Sequence, residues 1–209
     1  VGLVSGKPAD KPLMLKGNVV DEEGRGIANV VVNNGREFCQ TDRNGHWQLV
    51  TDTAVSKFVS ISTPCEYTLP QTDGIANGYY MPVAKAMEAG SKASFVLHRR
   101  DSVSNRFHYI AISDPQIRNA HDMKRWRQET VPSIMHTASS LRKTGDVIGM
   151  TLGDVVFDNM TLYAQYKQSI KNRRMTFFQC IGNHDFQKAY ADLHNSELGA
   201  PHYAEQMFG

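Results

Sequence analysis

The stretch MTFFQCIGNHD, residues 175–185, joins a run of apolar residues to a polar turn. Met175–Ile181 is typical of a buried strand, and the tetrapeptide Gly-Asn-His-Asp follows it directly. Polar groups placed just past a buried strand are costly to desolvate without partners, and a metal-dependent hydrolytic site supplies such partners. A turn from a strand into a helix explains the same residues, since Gly182 permits a tight backbone and Asn183 or Asp185 caps the helix. The tetrapeptide alone leaves both interpretations open.

Two more strand-like segments and two helix-like segments precede this stretch and alternate along the chain. The apolar strands cover Phe107–Ser113 and Val147–Leu152, and the helix-like segments cover Asp122–Leu141 and Leu162–Lys171. Pro132 is expected to kink the first helix or to divide it into two pieces. The order β-α-β-α-β predicts a parallel sheet with right-handed crossovers.

Each of the three predicted parallel strands is followed by groups able to bind a metal ion. The first is followed by Asp114-Pro115-Gln116, the second by Gly153-Asp154, and the third by Asn183-His184-Asp185. Sites in open α/β sheets form at the carboxyl ends of the strands, so these groups are expected to converge. The pair Asp158-Asn159, which begins four residues after Asp154, either reaches the substrate or caps the second helix; the cap is the favoured interpretation. Such groups at all three strand ends are hard to attribute to turn chemistry.

Residues 13–98 have a different pattern, in which short alternating segments are separated by turn residues. Asn34-Gly35, between two such segments, is a strong signal for a two-residue hairpin. The pattern predicts an all-β sandwich, in which Trp47 anchors the core. We therefore expect two domains with flanking segments: a leader (1–12), the sandwich (13–98), a polar linker (99–106) and an α/β domain (107–209).

The predicted sandwich resembles the transthyretin-like and carboxypeptidase-regulatory-like domains of secreted proteins. The resemblance rests on turn-forming and alternating apolar residues, namely Gly17-Asn18-Val19-Val20-Asp21, Gly24, Ile27, Val30-Val31-Val32, Thr41-Asp42, Gly45 and Trp47. It implies a fold and not a function, because such folds host many roles. Since the sequence also begins at Val1 and not at Met, we expect a secreted or periplasmic protein whose signal sequence has been removed.

The three strand ends resemble the calcineurin-like metallophosphoesterases, whose pattern runs Asp-x-His, Gly-Asp, Gly-Asn-His-Asp/Glu and then two more histidine motifs. The resemblance implies two divalent or trivalent ions of the manganese, iron or zinc class, with Asp114 on the first, Asn183 on the second and Asp154 bridging both. It also implies a catalytic pair, in which His184 is hydrogen-bonded to Asp185 and acts on the substrate phosphate or the leaving group. The implied activity is hydrolysis of a phosphomonoester or phosphodiester.

The sequence departs from the family pattern in two ways. Gln116 stands where the commonest form has histidine, and its harder oxygen ligand should suit manganese or iron better than zinc-like ions. The later histidine motifs have no counterpart, because only His194 and His202 follow His184 and neither lies in a Gly-His-x-His context. We therefore expect a truncated catalytic domain that binds metal poorly and is inactive as a fragment. The alternative is a non-catalytic binding or adhesion module with a degenerate phosphoesterase scaffold.

Bulk composition narrows the function classes only modestly. A net charge of +2 over 209 residues does not predict nucleic-acid binding and is compatible with a phosphate-ester substrate. No apolar run approaches the roughly 20 residues of a transmembrane helix. The three cysteines contain no Cys-x-x-Cys motif; a Cys39–Cys65 disulfide stays open, and Cys180 is expected to be a small core residue.

Overall fold

The computed structural model describes residues 12–171 and 173–185, which form two compact units. The first unit holds residues 12–68 and Gly78–Arg100, and the second holds Leu69–Asn77 and the described residues from Asp101 onward. The strands are β1 (Leu13–Asp21), β2 (Val31–Asn33), β3 (Phe38–Gln40), β4 (His46–Thr51), β5 (Phe58–Ile61), β6 (Gln71–Thr72), β7 (Ile75–Ala76), β8 (Tyr80–Pro82), β9 (Ser94–Leu97), β10 (Phe107–Ile112), β11 (Asp146–Leu152) and β12 (Thr176–Cys180). The helices are α1 (Val83–Ala89), α2 (Ala120–Arg125), α3 (Val131–Leu141) and α4 (Tyr163–Ile170).

Some predicted features lie outside the described residues. These are most of the predicted leader, at 1–11, and the region after Asp185 with His194 and His202. The chain passes for the last time from the first unit to the second between Arg100 and Asp101, within the predicted linker 99–106.

Two sheets build the first unit, with strand orders β4-β1-β9 and β3-β2-β5-β8. Strand β1 pairs antiparallel with β4 and parallel with β9. Along β4, Trp47, Leu49 and Thr51 are buried while the residues between them are exposed. This period of two is the pattern of a strand with one face on a core.

Trp47 lies in the core of the first unit, as expected from the sequence. Its ring is 2% exposed, and its centroid lies 6.4 Å from that of Phe95. Gly17 leaves room for the indole, since a Cβ atom there would lie 2.5 Å from the Trp47 ring. Strands β2 and β3 pair antiparallel on either side of Asn34-Gly35, so a hairpin is present there, but the last pair is Asn33↔Phe38 and its loop spans residues 34–37 instead of the two residues expected.

The first unit is not all-β, which corrects the expectation from the sequence. Helix α1, with the sequence VAKAMEA, follows β8, and Val83 and Ala86 are its buried residues. Alanine, lysine, methionine and glutamate all favour helix, so this segment follows its intrinsic propensity. The alternating pattern of the neighbouring strands does not extend through it.

The second unit is built on a five-stranded sheet with the order β10-β11-β12-β7-β6. Strands β10 and β11 pair in parallel from Phe107↔Asp146 to Ile112↔Thr151, and β12 pairs in parallel with β11. The parallel β-α-β-α-β arrangement predicted from the sequence is therefore present. Because these strands run the same way, their carboxyl ends reach the same edge of the sheet.

The hairpin β6–β7 corrects the domain boundaries in one respect, since its segment was expected inside the sandwich. Leu69–Asn77 belongs to the second unit, where β7 pairs in parallel with β12. The N–H of Phe177 donates to the carbonyl of Gly74 at 2.8 Å, and Ile75 is buried in the core that contains Phe177. The gain from burying Ile75 explains why a two-residue strand is held there.

Residues of the helices and of this sheet together form the core of the second unit. The indole N–H of Trp126 donates to Ser169 Oγ at 2.7 Å. The hydroxyl of Tyr166 donates to Gln179 Oε1 at 2.9 Å and lies 2.7 Å from Thr151 Oγ1. These buried contacts join α4 to both β11 and β12 and so position the ends of the two strands.

The expected division of the long helix at Pro132 is present. A five-residue π-helical segment, Trp126–Thr130, separates α2 from α3, and Pro132 is the second residue of α3. Proline has no N–H to donate and crowds the preceding turn, which explains the change in helical pitch just before it. No helix in the described part of the chain is long and apolar enough to cross a membrane.

Candidate functional site

The turns after β11 and β12 pack directly against each other. A Cβ atom added to Gly182 would lie 2.0 Å from Asp154 Oδ1, and one added to Gly153 would lie 2.9 Å from the Gly182 nitrogen. Both positions therefore require glycine for steric reasons. The two glycines flank the contact between the second and third motifs of the sequence.

The backbone is in the left-handed region at four polar residues of this edge. Their φ angles are 46° at Asp114, 43° at Gln116, 48° at Asp154 and 54° at Asp158. Such angles are uncommon outside glycine and cost free energy unless the surrounding structure imposes them. Their concentration in the turns after β10 and β11 marks this edge as a candidate site.

A short backbone ladder joins the first turn to the second beyond the ends of the strands. The N–H of Gln116 donates to the Asp154 carbonyl at 2.8 Å, and the N–H of Ile117 donates to the Val155 carbonyl at 3.1 Å. The Ile117 carbonyl in turn accepts from the N–H of Phe157 at 3.1 Å. These bonds hold the residues that follow Asp114 and Asp154 side by side.

The six residues predicted from the sequence differ in exposure. Asp154 and Asp185 are buried, Gln116 and His184 are half-buried, and Asp114 and Asn183 are exposed. Asp114 accepts a hydrogen bond from the hydroxyl of its neighbour Ser113.

Asp154 and His184 are brought together by a backbone contact. The N–H of His184 donates to Asp154 Oδ1 at 3.0 Å. Within residues 12–171 and 173–185, no donor reaches the second carboxylate oxygen, Oδ2. Asp154 is only 7% exposed, so little of its carboxylate is open to solvent.

Asp185 does not have the role expected of it as the partner of His184. Its carboxylate is fully buried and accepts three backbone N–H groups: Gly182 at 3.0 Å, Val155 at 3.2 Å and Val156 at 3.2 Å. Burial, and after it the Asp185 charge, raises the pKa of the Tyr163 hydroxyl. Asp185 therefore joins the turn after β12 to the turn after β11.

The side chain beside the His184 imidazole is Asp158. His184 Nδ1 lies 3.2 Å from Asp158 Oδ1, and the His184 ring stacks on Phe157 with centroids 4.0 Å apart and planes 24° apart. The pair Asp158-Asn159 was expected to cap a helix; Asn159 precedes the 3-10 turn that begins at Met160 but makes no side-chain cap bond, and α4 begins only at Tyr163. In the sequence, the signal for this placement is the position of Asp158 four residues after Asp154.

The predicted metal ligands are two carboxylates, Asp114 and Asp154, and two carboxamides, Gln116 and Asn183. Oxygen donors of this kind suit hard and borderline ions such as Mn²⁺. Among the described residues, however, no three His, Cys, Asp or Glu side chains gather into a metal-binding group. The donors therefore fit part of a metal site by their chemistry, without completing one.

The three cysteines are free thiols in this structure. Cys65 is exposed, while Cys39 and Cys180 are half-buried, and burial raises the pKa of both half-buried thiols. Cys39 and Cys65 therefore form no disulfide with each other in this structure.

Comparison with known proteins gives one family match. Residues 13–100 match the family model described as the N terminal of Calcineurin-like phosphoesterase. No curated protein and no solved structure matched the chain significantly. The matched residues cover less than half of the chain and end before β10. Over residues 13–100, the match supports a relationship to the calcineurin-like phosphoesterase family.

Proposed function

We propose that the second unit carries part of the active site of a metal-dependent phosphoesterase that hydrolyses a phosphomonoester or phosphodiester. One observation carries the proposal. Asp154 lies in a turn with a left-handed backbone angle, and one of its carboxylate oxygens accepts a hydrogen bond from the His184 N–H. The family match of residues 13–100 supports the same reaction class independently.

Asp154 is the proposed bridging ligand of two ions, with Asp114 and Gln116 on one side and Asn183 on the other. Ions bound there would supply a clamp for the attacking and leaving oxygens and would lower the pKa of bound water. Gly153 and Gly182 allow the two turns to approach closely enough for Asp154 to lie between them.

His184 is the proposed acid that serves the leaving group. A proton on Nδ1 would be donated to Asp158 Oδ1 at 3.2 Å, which leaves Nε2 free to exchange a proton with substrate. Stacking on Phe157 restricts rotation of the imidazole. Asp185 acts as a positioning residue in this scheme, because its oxygens accept backbone N–H groups.

Hydrolysis of p-nitrophenyl phosphate and of its bis ester by the protein, with added Mn²⁺, tests the proposal. Asp154→Asn is expected to lower both Mn²⁺ content and activity. His184→Ala is expected to lower turnover more than metal content; loss of the two in proportion would make His184 a ligand. Gln116→His should raise activity with zinc relative to manganese, and an unchanged metal ranking would contradict the role given to Gln116.

A non-catalytic binding module is the second candidate. It is favoured by the lack of a gathered metal-binding group among the described residues. The same assay separates the two candidates, since a scaffold releases nitrophenol from neither ester and binds no Mn²⁺. A secreted or periplasmic location stays a prediction, which cell fractionation would test.

A further inference from the structure

Arg118 comes directly after Ile117, the last residue of the first turn in the backbone ladder, and both its N–H and its carbonyl are hydrogen-bonded. Its carbonyl accepts from Asn159 Nδ2 at 3.2 Å, and its N–H donates to Asp122 Oδ2 at 3.3 Å. The preceding residue, Ile117, is buried and bridges to Val156 in parallel. The starting point of the Arg118 side chain is therefore fixed relative to the turn after β11.

The Arg118 side chain extends to the aromatic ring on which His184 stacks. Its Cζ atom lies 5.0 Å from the centroid of Phe157, and the Phe157 and His184 centroids are 4.0 Å apart. Phe157 thus contacts both the guanidinium and the imidazole. A cation over an aromatic face is attracted by the ring, which limits the positions the guanidinium adopts.

The Arg118 side chain is exposed, and its guanidinium has no carboxylate partner in the described part of the chain. Other arginines are neutralised, for example Arg125 by Glu129 at 3.0 Å and Arg25 by Asp21 at 2.7 Å. A guanidinium presents a planar fork of N–H donors that matches the oxygens of a phosphoryl group. Arg118 therefore offers an uncompensated anion-binding group that contacts the same aromatic ring as His184.

We propose that Arg118 binds the phosphoryl oxygens of the substrate and favours phosphomonoesters over phosphodiesters, an inference that rests on the proposed phosphoesterase function. A monoester carries three non-ester oxygens and a charge of about −1.5 to −2 at neutral pH. A diester has two such oxygens and a single charge. A guanidinium beside the reacting group therefore attracts the monoester more strongly. Phe157 is the positioning residue that holds Arg118 and His184 at one distance from each other.

Direct binding to the full chain tests this inference without requiring turnover. Inorganic phosphate serves as the probe for the dianion and dimethyl phosphate as the probe for the diester, each titrated calorimetrically with Mn²⁺ present. We expect wild type to bind phosphate more tightly than dimethyl phosphate. Arg118→Ala should weaken phosphate binding at least tenfold and dimethyl phosphate binding less than threefold, with Arg118→Lys in between.

Arg125→Ala is the matched control, because it removes the same charge from the same unit at a residue already paired with Glu129. It should change neither affinity by more than twofold. Equal weakening of both probes by Arg118→Ala, or similar weakening by Arg125→Ala, would overturn the inference, as would unchanged phosphate affinity. Near-ultraviolet circular dichroism establishes whether each variant is folded. If Arg118→Ala does not fold, the comparison is made with Arg118→Lys.

The kinetic arm separates this inference from the proposed function. If wild type hydrolyses both nitrophenyl esters, Arg118→Ala should raise KM for the monoester at least tenfold with a small change in kcat. If wild type hydrolyses neither ester, the proposed function fails, while the phosphate titrations still decide whether Arg118 binds the anion.

Discussion

Replacing Asp185 by asparagine should destabilise the second unit while preserving the shape of the side chain. Asp185 Oδ2 accepts the N–H groups of Gly182 and Val155, and Oδ1 accepts that of Val156. Asparagine keeps one oxygen, so at best two bonds remain and one buried N–H faces an amide NH₂. A buried donor left without a partner costs about 1–3 kcal/mol, which is the loss we expect for Asp185→Asn.

Asp185→Ala leaves all three N–H groups without their acceptor. The same figure per group gives a loss of about 3–9 kcal/mol. Since a typical domain is stable by only about 5–15 kcal/mol, this variant should leave the second unit marginally folded or unfolded.

Urea unfolding followed by the fluorescence of Trp126 measures this loss in the second unit. Trp47→Phe removes the other tryptophan, and Trp126 is buried with its N–H on Ser169. Asp73→Asn is the matched control, because its exposed ion pair with Lys171 should contribute less than about 1 kcal/mol. The slope with denaturant should stay constant while the midpoint falls. If Asp185→Asn is as stable as the control and yet loses activity, Asp185 is catalytic and our assignment is wrong.

Three further outcomes are expected. Ile75→Ala should cost about 2–5 kcal/mol and speed amide exchange at Phe177, whereas Ile75→Val should cost less than about 1.5 kcal/mol; unchanged exchange would mean that the hairpin does not support β12. Gly17→Ala should cost at least about 1–3 kcal/mol because its Cβ would overlap the Trp47 ring, and an unshifted Trp47 unfolding midpoint would contradict this packing. Ellman's reagent should titrate three thiols, and Cys65 should react first because it is exposed. The reaction rates of Cys39 and Cys180 should increase as the pH rises, since burial raises the pKa of both thiols. Equal rates for all three thiols at pH 8 would contradict this burial.

Local patterns predicted the arrangement of the second unit well. The apolar runs of β10, β11 and β12 and the helical stripes between them are properties of neighbouring residues, and their order implies a parallel sheet. Pro132 likewise acts on its own turn of helix, so the break before α3 could be expected.

Contacts between distant segments could not be read in the same way. The hairpin β6–β7 is separated from β12 by about a hundred residues, and its two-residue strands carry little pattern of their own. What holds it in the second unit is the burial of Ile75 beside Phe177 and the bond from Phe177 to Gly74. Neither interaction leaves a trace in the spacing of nearby residues.

The sequence by itself determined which chemical groups follow the strands: Asp114, Asp154, and the Asn183–Asp185 turn. Only the tertiary structure decided which carboxylate faces the imidazole. Neighbours in a tight turn point in different directions, so Asp185 turns inward to backbone N–H groups while His184 meets Asp158 from another turn. That choice depends on the backbone angles and on how closely the two turns pack, and both are set by contacts between residues about thirty positions apart.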